Sequence, residues 1–122
     1  MSEITENKNP VVALSFKFAL QTMAYCNQLE LRKHYVMARQ LMRCGTSIGA
    51  NIREAQQAES RNDFIHKFKN AAKEAEETAY WLELMHHSEG YPDCSLLRNL
   101  LQEILRLINR IIYSAKNPKS GK

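Results

Sequence analysis

Apolar residues recur at spacings of three and four along most of this chain, and proline and glycine rarely interrupt them. There are three prolines and four glycines in 122 residues, and no proline lies between Pro10 and Pro92. Spacings of three and four place apolar side chains on one face of a helix. Architectures with many strands need more frequent turns. The sequence therefore predicts an all-α fold with long helices.

The size and composition of the chain are those of one globular domain. With 122 residues, of which 44% are hydrophobic and 25% charged, it is long enough to bury a single core. We expect a flexible N-terminus over 1–9, a helical domain over 10–116 and a disordered tail over 117–122. The N-terminus lacks a signal-peptide pattern and no apolar run is long enough to span a bilayer, so we expect a cytoplasmic protein without membrane contact.

Four segments carry the helical pattern, and short connections join them. Asn9 and Pro10 are typical of a helix start, and Ser60 with Asp63 resembles a capping box. Short connections make consecutive helices antiparallel, which predicts an up-down-up-down four-helix bundle. The predicted helices run from Pro10 to about Leu31, from about Tyr35 through Ala55, from Ser60 to near Ser88, and from Ser95 to Ala115.

The stretch GTSIGANIREA, residues 45–55, places two glycines inside the predicted second helix. A glycine weakens an isolated helix by about 1 kcal/mol relative to alanine, so packing has to offset this cost. Gly45 and Gly49 lie four residues apart and therefore share one helix face. We predict that a neighbouring helix approaches most closely at this face. A flexible kink is the alternative interpretation.

Polar residues share another face of the second helix. Ser47, Asn51 and Glu54 are spaced by four and three, and Glu77 lies on a stripe of the third helix that could face them. One interpretation is an inter-helix polar network of these four residues that fixes which helices are neighbours. The other is a solvated face with surface ion pairs, each worth less than about 1 kcal/mol. The spacing leaves both open.

The fourth segment is more apolar than a single bundle requires, which is about three apolar positions per heptad. One stripe consists of Leu97, Leu101, Ile104, Ile108 and Ile111. A second stripe beside it consists of Leu96, Leu100, Leu107 and Ile112. Surplus apolar surface often marks an interface, so we predict that the second stripe, helped by the first helix, packs against another copy of the chain. A monomer with an unusually buried fourth helix is the alternative.

No set of residues has the complete spacing of a catalytic or metal site. The three cysteines show no C-x-x-C spacing and are interpreted as reduced, buried side chains. Glu83 and His86 match the E-x-x-H motif of di-iron bundles, but the nearest second motif, Asp63 to His66, lies on the same helix. The phosphate-binding loop pattern is absent. We expect a non-catalytic protein without metal or cofactor, and a metalloenzyme is a remote alternative.

The chain is mildly basic, with a formal net charge of +4. Several basic residues have acidic neighbours at helical spacing that partly neutralise them. Repeated around a ring of identical subunits, the remaining charges could hold a phosphate backbone; a solvated helix exterior is the alternative. The candidate phosphate contacts are Arg39, Arg43, Arg61, Lys67, Lys69, Arg106 and Arg110.

The run QLMRCGTSIGANIREAQQAESRNDFIHKFKNAAKEAEETAYWLELM resembles the bacterial four-helix bundle proteins, also known as the 23S rRNA intervening-sequence protein family. The most specific parts are TSIGANIREA, ESRNDF and KEAEETAYWLEL. Many members have glycine at the position of Ala55 and Gly-Ser at the position of Lys73-Glu74, where this chain departs from the pattern. The residues at the family's characteristic positions are Ser47, Ile48, Asn51, Ile52, Glu54, Phe64, Glu77 and Leu82.

The resemblance implies an antiparallel bundle that assembles as a homo-oligomeric ring, with a pentamer as the expected size, and no catalytic residue. It also implies a relation to the accessory protein of diversity-generating retroelements, a basic pentameric barrel that binds a reverse transcriptase and nucleic acid. We therefore expect a non-catalytic oligomeric binding or scaffold protein whose partner is RNA, DNA or a reverse transcriptase-like protein. A structural oligomer that binds another protein is the alternative.

Overall fold

The computed structural model describes residues 9–118, and these form four helices and no strand. The helices are α1 (Pro10–Leu31), α2 (Tyr35–Ala55), α3 (Arg61–His86) and α4 (Ser95–Lys116). The predicted all-α class with four helices is confirmed. Most of the predicted flexible N-terminus, 1–9, and most of the predicted disordered tail, 117–122, lie outside the described residues.

Consecutive helices run antiparallel and pack in chain order, and α1 also packs on α4. At one end of the bundle, Asn9 Nδ2 at the start of α1 donates to Gln56 Oε1 just after α2, at 3.3 Å. At the other end, His34 between α1 and α2 bonds the carbonyl oxygen of Gly90 between α3 and α4, at 3.0 Å. Both contacts need helices that alternate in direction.

The ends of α3 show how local sequence sets a helix boundary. Ser60 has an extended backbone, and its Oγ accepts a hydrogen bond from the backbone N–H of Asp63 at 3.0 Å. This bond satisfies one of the N–H groups that the first turn of a helix leaves without a partner. After the helix ends at His86, Gly90 adopts a φ of +93°, which glycine tolerates because it has no Cβ.

All four helices contribute fully buried apolar side chains to one core. These residues follow the predicted spacings of three and four, because only a face repeated at that spacing can point inward along a helix. Their removal from water is the main favourable contribution to folding. The largest are Phe18 and Leu29 of α1, Leu41, Ile48 and Ile52 of α2, Phe68 and Leu82 of α3, and Leu101, Ile104 and Ile108 of α4.

Both glycines of α2 face α1 at close range. A Cβ added at Gly45 would lie 2.9 Å from Cγ2 of Thr22, and one added at Gly49 would lie 3.4 Å from the backbone oxygen of Ser15. The first distance is shorter than two carbon atoms tolerate. The second is an ordinary contact, although it is made with backbone that cannot easily move. α2 remains a continuous helix through both glycines.

The polar side chains predicted to link α2 with α3 are partly satisfied within α2. Ser47 Oγ donates to the carbonyl oxygen of Arg43 at 2.7 Å, and Asn51 Nδ2 donates to the carbonyl oxygen of Ser47 at 2.9 Å. Short polar side chains commonly bond the carbonyl four residues earlier in their own helix. These two residues therefore do not reach across to α3.

The two predicted carboxylates do contact the neighbouring helix, but in two separate ion pairs. Glu54 of α2 accepts from Lys67 Nζ at 2.9 Å, and Glu77 of α3 accepts from Arg43 and, at 3.2 Å, from Trp81 Nε1. Ten residues of helix separate Lys67 from Glu77, a length of about 15 Å. The antiparallel register thus keeps the pairs apart, and the predicted single network of Ser47, Asn51, Glu54 and Glu77 is wrong.

The α4 stripe that was predicted to form an interface is mostly buried against other helices of the same chain. Leu100 is 8% exposed and belongs to the core, and Leu107 and Ile112 pack partly buried against it. Leu96, at 59%, is the only one of the four that is largely exposed. α4 packs against both α3 and α1, so the two stripes are covered within the chain except at Leu96. The prediction that Leu100 is left for another subunit is therefore wrong.

The glycine contacts predict opposite responses to the same substitution. Gly45→Ala should destabilise the protein, because overpacking costs about 1–3 kcal/mol and Thr22 is fully buried and β-branched, with few alternative rotamers. Gly49→Ala should leave stability unchanged or raise it by up to about 1 kcal/mol through helix propensity. Thermal unfolding followed by circular dichroism measures both. A Gly45→Ala variant as stable as the Gly49→Ala variant would contradict the close approach.

Candidate nucleic-acid interface

On the α2–α3 side of the bundle, two of the basic residues, Arg43 and Lys67, are paired with carboxylates. Arg43 Nη2 donates to Glu77, and Arg43 Nη1 lies 3.7 Å from Glu74 Oε1. Lys67 Nζ donates to Glu54 at 2.9 Å. The hydrogen bond that Arg43 donates to Glu77 raises the pKa of Arg43, and the one that Lys67 donates to Glu54 raises the pKa of Lys67. Arg43 and Lys67 were predicted to contact phosphate, but the carboxylates compensate their charges.

At one end of the bundle, between the start of α3 and the end of α4, a cleft of about 530 Å³ has a different charge. Its charged or titratable lining residues are all basic, and no carboxylate is among them. Within residues 9–118, the ion pairs involve Arg43 and Lys67 and none of the cations in this cleft. We name it the basic cleft, lined by Arg61, Asn62, Ile65, His66, Lys69, Ala115 and Lys116.

Helical spacing explains how these residues meet. Asn62, Ile65, His66 and Lys69 are spaced by three, one and three, so they occupy adjoining positions on one side of the first turns of α3. Lys116 is the last residue of α4, and the antiparallel direction of α4 brings it beside those turns. The site therefore depends on the lengths of α3 and α4 matching at this end.

Two of the cations in the basic cleft repel each other. The side chain of Lys69 lies close enough to Lys116 to disfavour its charge, and this lowers the pKa of Lys116. An anion placed between the two groups would remove this repulsion. The cleft is thus electrostatically suited to phosphate.

The structure brings together two of the seven predicted phosphate contacts, Arg61 and Lys69, in the basic cleft. Arg106 and Arg110 are exposed on α4 but do not line it. Arg39 lines a different cleft, of about 480 Å³, between residues of α1 and α2. The sequence analysis missed His66 and Lys116. The available signal for Lys116 was the short connection between two long antiparallel helices, which places their far ends side by side.

The described residues also bear on three other kinds of site: a reactive cysteine, a metal site and a membrane span. Cys26, Cys44 and Cys94 are free and buried, and burial raises the pKa of Cys26 to about 11 and also raises those of the other two. Over residues 9–118, no three His, Cys, Asp or Glu side chains gather where they could hold a metal ion. None of the helices described is long and apolar enough to cross a bilayer.

The raised pKa values predict unreactive cysteines. At pH 8 each thiol should be protonated and shielded from solvent, so an aromatic disulfide reagent should give no fast reaction with the native protein. Addition of guanidinium chloride should expose all three thiols and restore the thiolate that attacks the reagent. A native thiol that reacts at the rate of free cysteine would contradict the burial described here.

A family model described as 23S rRNA-intervening sequence protein matches residues 7–111. The chain belongs to this family. It is also similar to the crystal structure of a protein with unknown function from the S23 ribosomal protein family of Bacteroides thetaiotaomicron. The two chains are 44% identical, the match covers 84% of this chain and 97% of that one, and the TM-score is 0.79. Comparison with curated proteins gave no match.

For this member of the 23S rRNA-intervening sequence protein family, the match confirms the resemblance drawn from the sequence. The matched region, 7–111, contains α1, α2 and α3 whole and most of α4. It ends before Lys116, although it contains Arg61 and Lys69. The basic cleft thus combines residues inside the matched region with two residues beyond it, Ala115 and Lys116.

Proposed function

We propose that this protein binds nucleic acid without catalysing a reaction, and that the basic cleft is its main contact. The observation that supports the proposal is the uneven compensation of charge. Arg43 and Lys67 have carboxylate partners, whereas Arg61, Lys69 and Lys116 share a cleft whose lining includes no carboxylate. A cation without a carboxylate partner does not have to give up an ion pair in order to bind phosphate.

Affinity in such an interface comes mainly from the release of counterions. Each phosphate that a lysine or arginine neutralises releases condensed cations from the nucleic acid, so affinity falls as salt rises. Base edges are read by directed hydrogen bonds from side chains such as arginine or asparagine. In the basic cleft, Arg61 and Asn62 are the only lining residues of these two types. Because we assign Arg61 to phosphate, we expect binding that depends little on sequence.

We also propose that several copies of the chain assemble into a closed ring, with a homopentamer as the expected size. Large apolar side chains on the outside of α1 support this assembly, since Leu20 is 52% and Met23 48% exposed. Beside them, a mainly apolar cleft of about 280 Å³ lies between α1 and α2, where Arg53 stacks over Phe16. Exposed apolar surface of this kind is typical of protein interfaces. A ring would repeat the basic cleft and add its charges.

Replacement of two lysines tests the nucleic-acid proposal. Wild type should bind labelled RNA and DNA at low salt and release them at higher salt. The double variant Lys69→Gln/Lys116→Gln should bind more weakly and should reduce the slope of log affinity against log salt by about 1.5. The control is Lys17→Gln, at an exposed lysine of α1 outside the cleft. Fluorescence anisotropy at two salt concentrations measures all three proteins.

The same titration decides between the proposals for a partner. Absence of binding by the wild type at low salt would reject a nucleic-acid role and favour a structural oligomer that binds another protein. An equal loss in the Lys17→Gln control and in the double variant would reject the basic cleft as the main contact.

Sedimentation equilibrium tests the assembly. Wild type at micromolar concentration should have several times the mass of one chain, and Leu20→Glu/Met23→Glu should dissociate toward a single folded chain. Leu96→Glu, on the exposed position of α4, should have a smaller effect than the α1 variant. Wild type that sediments as a folded single chain would overturn the ring, and dissociation by Leu96→Glu alone would move the interface to α4.

A further inference from the structure

The charge of the α3 face that meets α4 changes sign along the helix. Lys69, Glu76 and Glu83 are spaced by seven residues and therefore lie on one face. Lys69 lines the basic cleft, and Glu83 lines the next cleft between the same two helices, of about 270 Å³, together with Arg98. Along this face of α3 the first position is thus basic and the next two are acidic, and in the second cleft Arg98 lies in the same lining as Glu83.

This change of sign restricts how a nucleic-acid strand can lie. Seven residues of helix rise about 10 Å, which is close to the distance over which charges interact at physiological salt. A strand laid along the groove would bring the phosphates after the first one toward Glu76 and then toward Glu83. Both carboxylates are exposed and would repel them. The basic cleft can therefore accept a phosphate, but the groove beyond it does not favour binding of the phosphates that follow.

The composition of the basic cleft also favours a compact, highly charged group. Arg61, Lys69 and Lys116 converge on one volume of about 530 Å³. An internal phosphodiester carries one negative charge, whereas a terminal phosphomonoester carries about −1.5 to −2 at pH 7 and offers three acceptor oxygens. A group with that charge can accept charge-assisted hydrogen bonds from several cations at once.

We propose that the basic cleft binds the terminal phosphate of a nucleic-acid strand, so that the strand meets the bundle end-on. Arg61, Lys69 and Lys116 donate to the phosphate oxygens, and the strand leaves the cleft away from Glu76. This inference rests on the proposed nucleic-acid function and specifies the chemical group that the site recognises. It needs no reaction, because the phosphate is bound and not transferred.

The test compares oligonucleotides of one sequence that differ only at their ends: 5′-phosphate, 3′-phosphate, or hydroxyl groups at both ends. The oligonucleotide with a phosphate at the recognised end should bind wild type about tenfold more tightly than the hydroxyl form. Inorganic phosphate at millimolar concentration should compete for the cleft and so reduce the difference in affinity between the two forms. The 5′ and 3′ forms identify which end the cleft accepts.

Variants show whether the cleft provides the preference. Lys69→Gln/Lys116→Gln should bind phosphate and hydroxyl forms alike, whereas Lys73→Gln, an exposed lysine of α3 that does not line the cleft, should keep the preference. Glu76→Gln should strengthen binding of the hydroxyl form, because it removes repulsion along the groove. Circular dichroism verifies that each variant keeps the helical content of wild type.

The outcomes separate this inference from the function on which it rests. Salt-dependent binding with equal affinity for phosphate and hydroxyl ends would overturn the terminal-phosphate site while leaving nucleic-acid binding intact. Absence of binding to every oligonucleotide at low salt would reject both. A preference for phosphate ends that survives in the Lys69→Gln/Lys116→Gln variant would place the recognition outside the basic cleft and overturn the inference.

Discussion

The close approach of α1 and α2 is the contact on which the rest of the bundle depends. Gly45 lies against Thr22 and Gly49 against Ser15, so α2 comes nearer to α1 than any larger side chain at position 45 would allow. Two glycines lower the intrinsic stability of the helix, and the close packing that they permit offsets this loss of stability. With α2 held against α1, its opposite side faces α3, and the antiparallel register of that pair fixes which charges meet.

That register gives two groups of basic residues different electrostatic surroundings. Between α2 and α3, Arg43 pairs with Glu77 and Lys67 pairs with Glu54, so the charges of these two cations are compensated within the chain. These ion pairs are exposed enough to contribute little stability individually. Where α3 begins and α4 ends, Lys69 and Lys116 meet with no carboxylate in the cleft. Membership in the 23S rRNA-intervening sequence protein family gives the fold and the relatives, while this charge separation supports the proposed interaction with phosphate.

Much of the fold could be predicted because helix formation is governed locally. The apolar spacing, the Ser60–Asp63 capping pattern and Pro10 indicate the type and approximate ends of the helices, and the structure has the same four. The candidate site was less predictable. Arg61 and Lys69 were selected from the sequence, but so were Arg43 and Lys67, because a basic residue and its carboxylate partner lie 34 and 13 positions apart. The prediction for the apolar surplus of α4 also failed at Leu100, since the two neighbouring helices cover most of both stripes and leave Leu96 exposed.

The amino-acid sequence by itself determined that the chain is helical, where each helix starts, and which positions are small enough for close packing. These properties depend on backbone propensity and on periodicity, which act over a few residues. Only the tertiary structure decided which charges are compensated and which are left facing a common cleft. The physical reason is that electrostatic interactions depend on distances through space. Lys69 and Lys116 are remote in the chain and become neighbours only when α3 and α4 align.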